Sequence, residues 1–228
     1  MAFEIWDKNL GLKMVGKLSK KYSTCGDLLE GDKDAEDRYI ASAYAYQMSR
    51  LYRQRCKGTQ APPLFFVRPY IYRLKSPVHG VLSIYAEPQI PSELGEWEKY
   101  SNNALYCRNQ AMASFSHFCF VMSEGLFMVT DLQGKANILS DPAIHSMDPK
   151  IFKERTNFAE TGINNFFLMQ HPMCSQQLCH KLAINNARPG GVGGLVDIAD
   201  ELQTTEKVHI ACELCNQVKQ LSRASYDQ

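Results

Sequence analysis

Pro62-Pro63 divides the first half of the chain between two periodicities. On its N-terminal side Ile40, Tyr44, Met48 and Leu51 recur at helical spacing. Asp34-Ala-Glu-Asp37 supplies acids where a helix macrodipole favours them, and Arg50, Arg53 and Arg55 gather at the other end. A helix over 34–56 follows, with its aromatic stripe in the core. On the C-terminal side Leu64–Val67, Tyr70–Arg73 and Gly80–Tyr85 are β-branched and aromatic runs separated by Pro and Gly, as in a meander. Two short strands, 3–6 and 12–18, precede the helix. Ala86-Glu87-Pro88 ends the β region, because proline stops a ladder and fixes the backbone direction. It marks a hinge between two lobes, about 1–87 and 88–186.

Beyond the hinge, the spacing predicts a helix around 104–115, a strand over Gly125–Thr130, and a loop at 156–162 leading into 163–169. His171 to Cys179 is read as a turn and a helix start. Ala187-Arg-Pro-Gly-Gly-Val-Gly-Gly194 has linker composition and, lacking a following Lys-Ser/Thr, is not a phosphate loop. Leu195, Ile198, Leu202, Val208, Cys212, Cys215 and Val218 predict a helical tail within 195–228.

With 228 residues, the chain can bury a substantial core. Lys+Arg 25 against Asp+Glu 24 leaves a formal charge of +1, so no bulk electrostatic argument favours nucleic acid or an anionic membrane. The acids in Met1–Lys8 do not suit a signal peptide, and no run approaches the ~20 apolar residues that span a bilayer. An intracellular, cytoplasmic protein is expected. There the eight cysteines are reduced, and clustered ones suggest metal before disulfide.

Two constellations carry chemistry. The first is Asp131-Leu-Gln-Gly134 with Asp141-Pro ten residues on, following the apolar strand. Carboxylates are hard oxygen ligands suited to Mg²⁺, Gln133 can position an oxygen or a hydroxyl, and Gly134 lets the chain turn. An ordinary strand followed by an Asp-rich turn explains the same residues. Lys17, Glu87, Lys99 and Asn103 lie upstream in the order phosphoryl transfer would use. The second is His117, His171, Cys174 and Cys179, the donor types and number of a tetrahedral Zn²⁺ site. Taken alone, His117 reads as a core histidine. Cys212-Glu-Leu-Cys215 is a competing pair, and inside a helical pattern it is expected to pack as small apolar side chains.

Taken together, Glu87-Pro, Gly95-Glu-Trp-Glu-Lys-Tyr-Ser-Asn-Asn103, Phe115-Ser-His-Phe118, Val129–Gly134, Ser140–Ser146, Asn157 through Gly162-Ile163, and His171–Cys179 followed by Leu182 resemble one family. It is the alpha-kinases, atypical serine/threonine kinases that include the myosin heavy chain kinases, elongation factor 2 kinase and the channel-kinases. The resemblance runs from about residue 14 to 183. It implies an α+β, two-lobed, protein-kinase-like fold: a β-rich N-lobe with one long helix and a zinc-stapled C-lobe.

The resemblance also implies ATP, Mg²⁺ and a protein substrate. Lys17 matches the family's ATP-phosphate lysine and Glu87 the acid at the adenine pocket. Lys99 and Asn103 fall where the family has active-site lysine and asparagine. Asp131 matches the catalytic aspartate, Gln133 a metal or nucleotide ligand and Asp141 the second Mg²⁺ ligand. His117, His171, Cys174 and Cys179 match the structural zinc ligands.

Departures from the family pattern lie in the short segment before Lys17, the extra Pro91–Leu94 before Gly95, Ala159 in place of a glycine, and a lengthened His171–Cys179 run. The competing expectation is a non-catalytic, zinc-stabilised kinase-like scaffold. A zinc hydrolase fits less well, since four protein ligands close the metal.

Overall fold

The computed structural model describes residues 2–18, 28–78, 81–104, 106–148, 150–152, 156–171, 178–184, 208–212 and 217–221. Its contacts divide the chain into two units. One contains Met1–Ile40, Arg68–Gln89 and the segment from Asp197; the other contains Ala41–Val67 and Ile90–Val196.

In the first unit, β1 (Ala2–Asp7), β2 (Leu12–Lys17), β4 (Tyr70–Val78) and β5 (Val81–Pro88) form an antiparallel sheet in the order β1-β2-β5-β4. Asp7 makes the first turn: its Oδ1 accepts from the Asn9 and Leu10 amides at 2.9 and 3.0 Å, and its Oδ2 from the Tyr72 hydroxyl at 2.8 Å. Met14, Leu18, Tyr72, Val81, Ile84 and Ala86 bury one face of the sheet, with Phe3 and Ile5 against them. Burying a side chain such as Met14 contributes about 1.5–3 kcal/mol.

Helix α1 (Leu28–Cys56) begins earlier than its acidic residues suggest. Asp32 Oδ1 accepts from the Leu82 and Ser83 amides, and Arg73 bonds Glu36 at 2.7 Å, so those acids fasten the helix to β5 and β4 rather than start it.

From Ala41 onward α1 belongs to the second unit. Tyr44, Met48 and Tyr52, four residues apart, form its buried stripe. Ile40 is half exposed, so the apolar pattern turns outward at that end. The stripe packs on α2 (Gln110–Met122): Tyr52 meets Phe115 and Phe118 edge-on at 5.4 Å each, and the Tyr44 hydroxyl reaches the Cys119 carbonyl. This packing explains why 41–67 does not group with the strands around it, as two sequential lobes would require.

Helix α2 starts at Gln110 rather than near 104. Asn102 Oδ1 accepts from the Ala104 and Tyr106 amides and folds that stretch into a loop, while Asn109 caps the helix through the Ala111 amide. Its residues from Ala111 to Phe120 are all buried, as a helix apolar on every side must be.

Four short strands, β3 (Phe65–Phe66), β6 (Glu98–Lys99), β8 (Gln133–Lys135) and β9 (Ile138–Ser140), make a sheet in the order β3-β9-β8-β6, with β3 parallel to β9. β7 (Phe127–Thr130) pairs separately with β10 (Ala143–Ser146). Helix α3 (Ala159–Asn165) includes residues expected in a loop, because Asn157 Oδ1 accepts from the Ala159 amide and starts the helix early. A π-turn, Phe166–Gln170, follows, and α4 (Leu178–Lys181) carries Cys179.

The tail differs most from expectation. Residues Val208–Cys212 and Gln217–Leu221 are antiparallel strands β11 and β12, not a helix. Val208, Ile210 and Cys212 alternate with period two, a pattern hidden when only every third or fourth apolar residue is counted. The glycine-rich linker, Cys174 and Cys215 lie outside the described residues. No helix among the described residues is long and apolar enough to cross a membrane.

Candidate active site and metal site

In the second unit, the strand pairs β7–β10 and β8–β9 keep one register, Thr130 opposite Ala143 and Gln133 opposite Ser140. Between them the ladder is broken by Asp131-Leu132 on one strand and Asp141-Pro142 on the other. Both aspartates take left-handed backbone, φ 58° and 52°, which Asp tolerates better than most residues. Leu132 turns away to a different partner. Its carbonyl accepts from the Tyr100 and Ser101 amides at 2.9 and 3.1 Å, and its amide donates to Ser101 Oγ at 3.0 Å. At Gly134 a Cβ would collide with the Ile138 carbonyl, so the tight β8–β9 pairing requires glycine there.

The break brings together four of the residues singled out from sequence. Lys99, which pairs with Gln133 across β6 and β8, places Nζ 2.8 Å from Asp131 Oδ1. Gln133 Nε2 donates to Asp131 Oδ2 at 3.1 Å and to the Asp141 carbonyl at 3.2 Å. Burial raises the Asp131 pKa above its ordinary value, and the Asp141 charge adds to this; the bond and charge of Lys99, and the Gln133 amide, pull it down. Asp131 Oδ1 is shut off from solvent and, apart from the Lys99 ion pair, receives no directed hydrogen bond. A buried carboxylate oxygen with an open acceptor direction, beside a second aspartate and an amide, fits a hydroxyl donor or a hard cation such as Mg²⁺.

Asn103 is bonded elsewhere. Its Nδ2 donates to the Thr156 carbonyl at 3.2 Å, and its own carbonyl lies 2.7 Å from His145 Nε2. His145 and Ser101 are contributors that sequence reasoning did not single out. Both lie within segments that resemble the family, but their partners, Leu132 for Ser101 and Asn103 and Phe158 for His145, are distant in the chain. Asn157 holds the neighbouring loop: Oδ1 accepts from the Ser146 and Ala159 amides, and Nδ2 donates to the Ile151 and Phe152 carbonyls.

In the first unit, Lys17 and Glu87 form an ion pair of 2.7 Å between the ends of β2 and β5. Lys17 pairs with Tyr85 and Val15 with Glu87, so the two side chains meet diagonally on one face. The Tyr85 hydroxyl donates to Glu87 Oε2 at 2.7 Å, which satisfies a carboxylate that is nearly fully buried.

A separate cluster in the second unit joins His117 of α2, His171 at the end of the π-turn and Cys179 of α4. One donor atom from each lies within 4.8 Å of the others, and Cys179 Sγ stands 3.3 Å from His171 Nε2. Bond lengths to zinc imply a ligand–ligand edge of about 3.5 Å in a tetrahedron, so this pair already has the required spacing. Burial lowers both histidines, His117 to about 4 with His171 as a second cause. Both are therefore neutral at physiological pH, as a metal ligand must be. These three residues fit a Zn²⁺ site that needs one more ligand.

The family model described as "Alpha-kinase family" matches residues 1–179. Alpha-protein kinase 1 of Mus musculus is 32% identical over 182 residues, covering 73% of this chain and 14% of the relative. Myosin heavy chain kinase C of Dictyostelium discoideum is 28% identical over 158 residues, covering 65% and 19%. The chain thus spans less than a fifth of the length of these relatives. Among solved structures, the alpha-kinase domain of myosin-II heavy chain kinase A in complex with AMP-PNP superposes with a TM-score of 0.61 at 22% identity, covering 80% of this chain and 67% of that one. The D663A mutant of the myosin heavy chain kinase A catalytic domain gives the same TM-score at 24% identity, covering 77% and 65%. The fold is that of an alpha-kinase catalytic domain, and with the family's pattern matching more than three quarters of this chain, the chain belongs to the alpha-kinase family of protein kinases.

Proposed function

We propose that the chain is an atypical serine/threonine protein kinase that transfers the γ-phosphoryl group of ATP to a Ser or Thr hydroxyl of a protein. The observation that carries this reading is the Asp131 carboxylate held between Lys99 and Gln133, with Asp141 on the facing strand of the same break.

In this reading Asp131 accepts a hydrogen bond from the acceptor hydroxyl and takes its proton late, as the oxygen bonds to the γ-phosphorus and the bond to the ADP leaving oxygen breaks. Lys99 offsets charge building beside Asp131. Lys17 reaches phosphate once nucleotide competes with Glu87, and Glu87 belongs to the adenine side. Asn103 completes the nucleotide contacts. Asp141 and Gln133 would hold Mg²⁺, which when bound neutralises phosphate charge. His117, His171, Cys179 and Cys174 would hold a structural Zn²⁺, closed and four-coordinate, remote from substrate.

The test is ³²P transfer from γ-labelled ATP with Mg²⁺ to the chain itself and to a generic basic protein, beside Asp131→Asn. Label on Ser or Thr that disappears in the variant supports the kinase. No transfer by a folded, zinc-loaded chain that shows no thermal shift with Mg²⁺-ATP overturns it in favour of a non-catalytic scaffold.

A further inference from the structure

His145 lies fully buried on β10, and both of its ring nitrogens are engaged by main chain from separate loops. The Phe158 amide donates to Nδ1 at 3.1 Å. Nδ1 therefore carries no proton, and the neutral ring must carry it on Nε2, from which it donates to the Asn103 carbonyl at 2.7 Å. Burial lowers the pKa and keeps the ring neutral. The ring also stacks on Phe158, centroids 5.6 Å apart, and a Cβ on Gly162 would come within 2.6 Å of it, so α3 approaches as closely as a glycine allows.

The loops joined this way matter to the site. One is the segment 99–103: Lys99 sits against Asp131, Tyr100 and Ser101 clamp Leu132, and Asn103 ends on His145. The other, 156–158, leaves Phe158 40% exposed and is tied a second time to the first by Asn103 Nδ2 and the Thr156 carbonyl.

We propose that His145 is a positioning residue that fixes the Asn103 segment and the Phe158 loop in one arrangement, and that through this segment it holds Lys99 and the clamp on Leu132 in place beside Asp131. The inference rests on the kinase reading, but the bridge itself can be measured without activity.

Two conservative variants separate its halves. His145→Asn places an amide oxygen near the Nδ1 position and keeps only the bond from the Phe158 amide; His145→Gln places an amide nitrogen near the Nε2 position and keeps only the bond to the Asn103 carbonyl. Hydrogen–deuterium exchange is expected to quicken over 156–160 in His145→Gln, over 101–104 in His145→Asn, and in neither case elsewhere in the unit. With ATP and a histone mixture as acceptor, His145→Asn, which releases the Asn103 segment, is expected to lower kcat about tenfold, and His145→Gln, which keeps that bond, by no more than about twofold. Displacing reacting groups by about 1 Å costs up to ~100-fold, so a tenfold effect corresponds to a partial shift.

Exchange that rises uniformly, or an equal loss of kcat in the two variants, overturns the proposal and leaves His145 a core residue. No transfer by the unsubstituted chain overturns the kinase reading instead, and in that chain the segment-specific exchange pattern still decides whether the bridge exists.

Discussion

Asp131 and Asp141 interrupt the same antiparallel pairing on opposite strands, both with left-handed backbone. The register is the same on either side of the break, so the two carboxylates are placed by the ladder itself rather than by a free loop.

That backbone predicts how substitutions divide. Asp131→Asn and Asp141→Asn retain a side chain that tolerates φ > 0, whereas alanine at either position costs about 1–2 kcal/mol. Because burial raises the pKa of Asp131, its contribution to stability is present when protonated and is lost as pH rises through the folded value. Asp131→Asn is therefore expected to melt higher than the unsubstituted chain at pH 7, with the gain shrinking towards pH 4. Thermal melts of the four variants at the two pH values check both statements.

In the proposed reaction Asp131 must be ionised to take the acceptor's proton, so kcat/KM should fall as pH drops through a value above the ordinary aspartate pKa. Lys99 is the main influence holding that pKa down. Lys99→Met is expected to move the acid limb to higher pH, besides lowering the plateau. A pH–rate profile in which the limb stays put would show that the ion pair does not tune Asp131.

Gly134→Ala drives a Cβ into the Ile138 carbonyl, a backbone atom that cannot rotate away. A loss of at least about 1–3 kcal/mol is expected, seen as a lower denaturation midpoint. Gly11→Ala is a useful comparison: that turn glycine has φ +63° but open space around its Cβ, so only the backbone preference is lost, about 1 kcal/mol.

For the His117, His171 and Cys179 cluster, elemental analysis should find about one zinc per chain. Stripping it with a chelator, or making His171→Ala, is expected to destabilise by more than about 3 kcal/mol, a fall of roughly 6–12 °C in Tm. A metal-free chain with an unchanged Tm would remove zinc from the account. Cys174→Ser tests whether the fourth ligand comes from that position.

The sequence by itself determined the class of fold and most of the candidate chemistry. Strands β1, β2, β4 and β5 and the core of α1 were legible because period-two and helical patterns are local, and Asp131, Gln133 and Asp141 stand out as candidates because a short motif carries them. Tertiary structure decided what depends on distant partners. Asn102 and Asn109 moved the start of α2, Asp32 and Arg73 fastened the beginning of α1 to the sheet, and the aromatic face of α2 drew 41–67 into the second unit. Segments 208–212 and 217–221 of the tail pair as antiparallel strands because each can satisfy its backbone on the other. His145 shows the reason in a single residue: its bonding partners lie 42 residues before it and 13 after, and no local pattern encodes hydrogen bonds that only the folded chain can make.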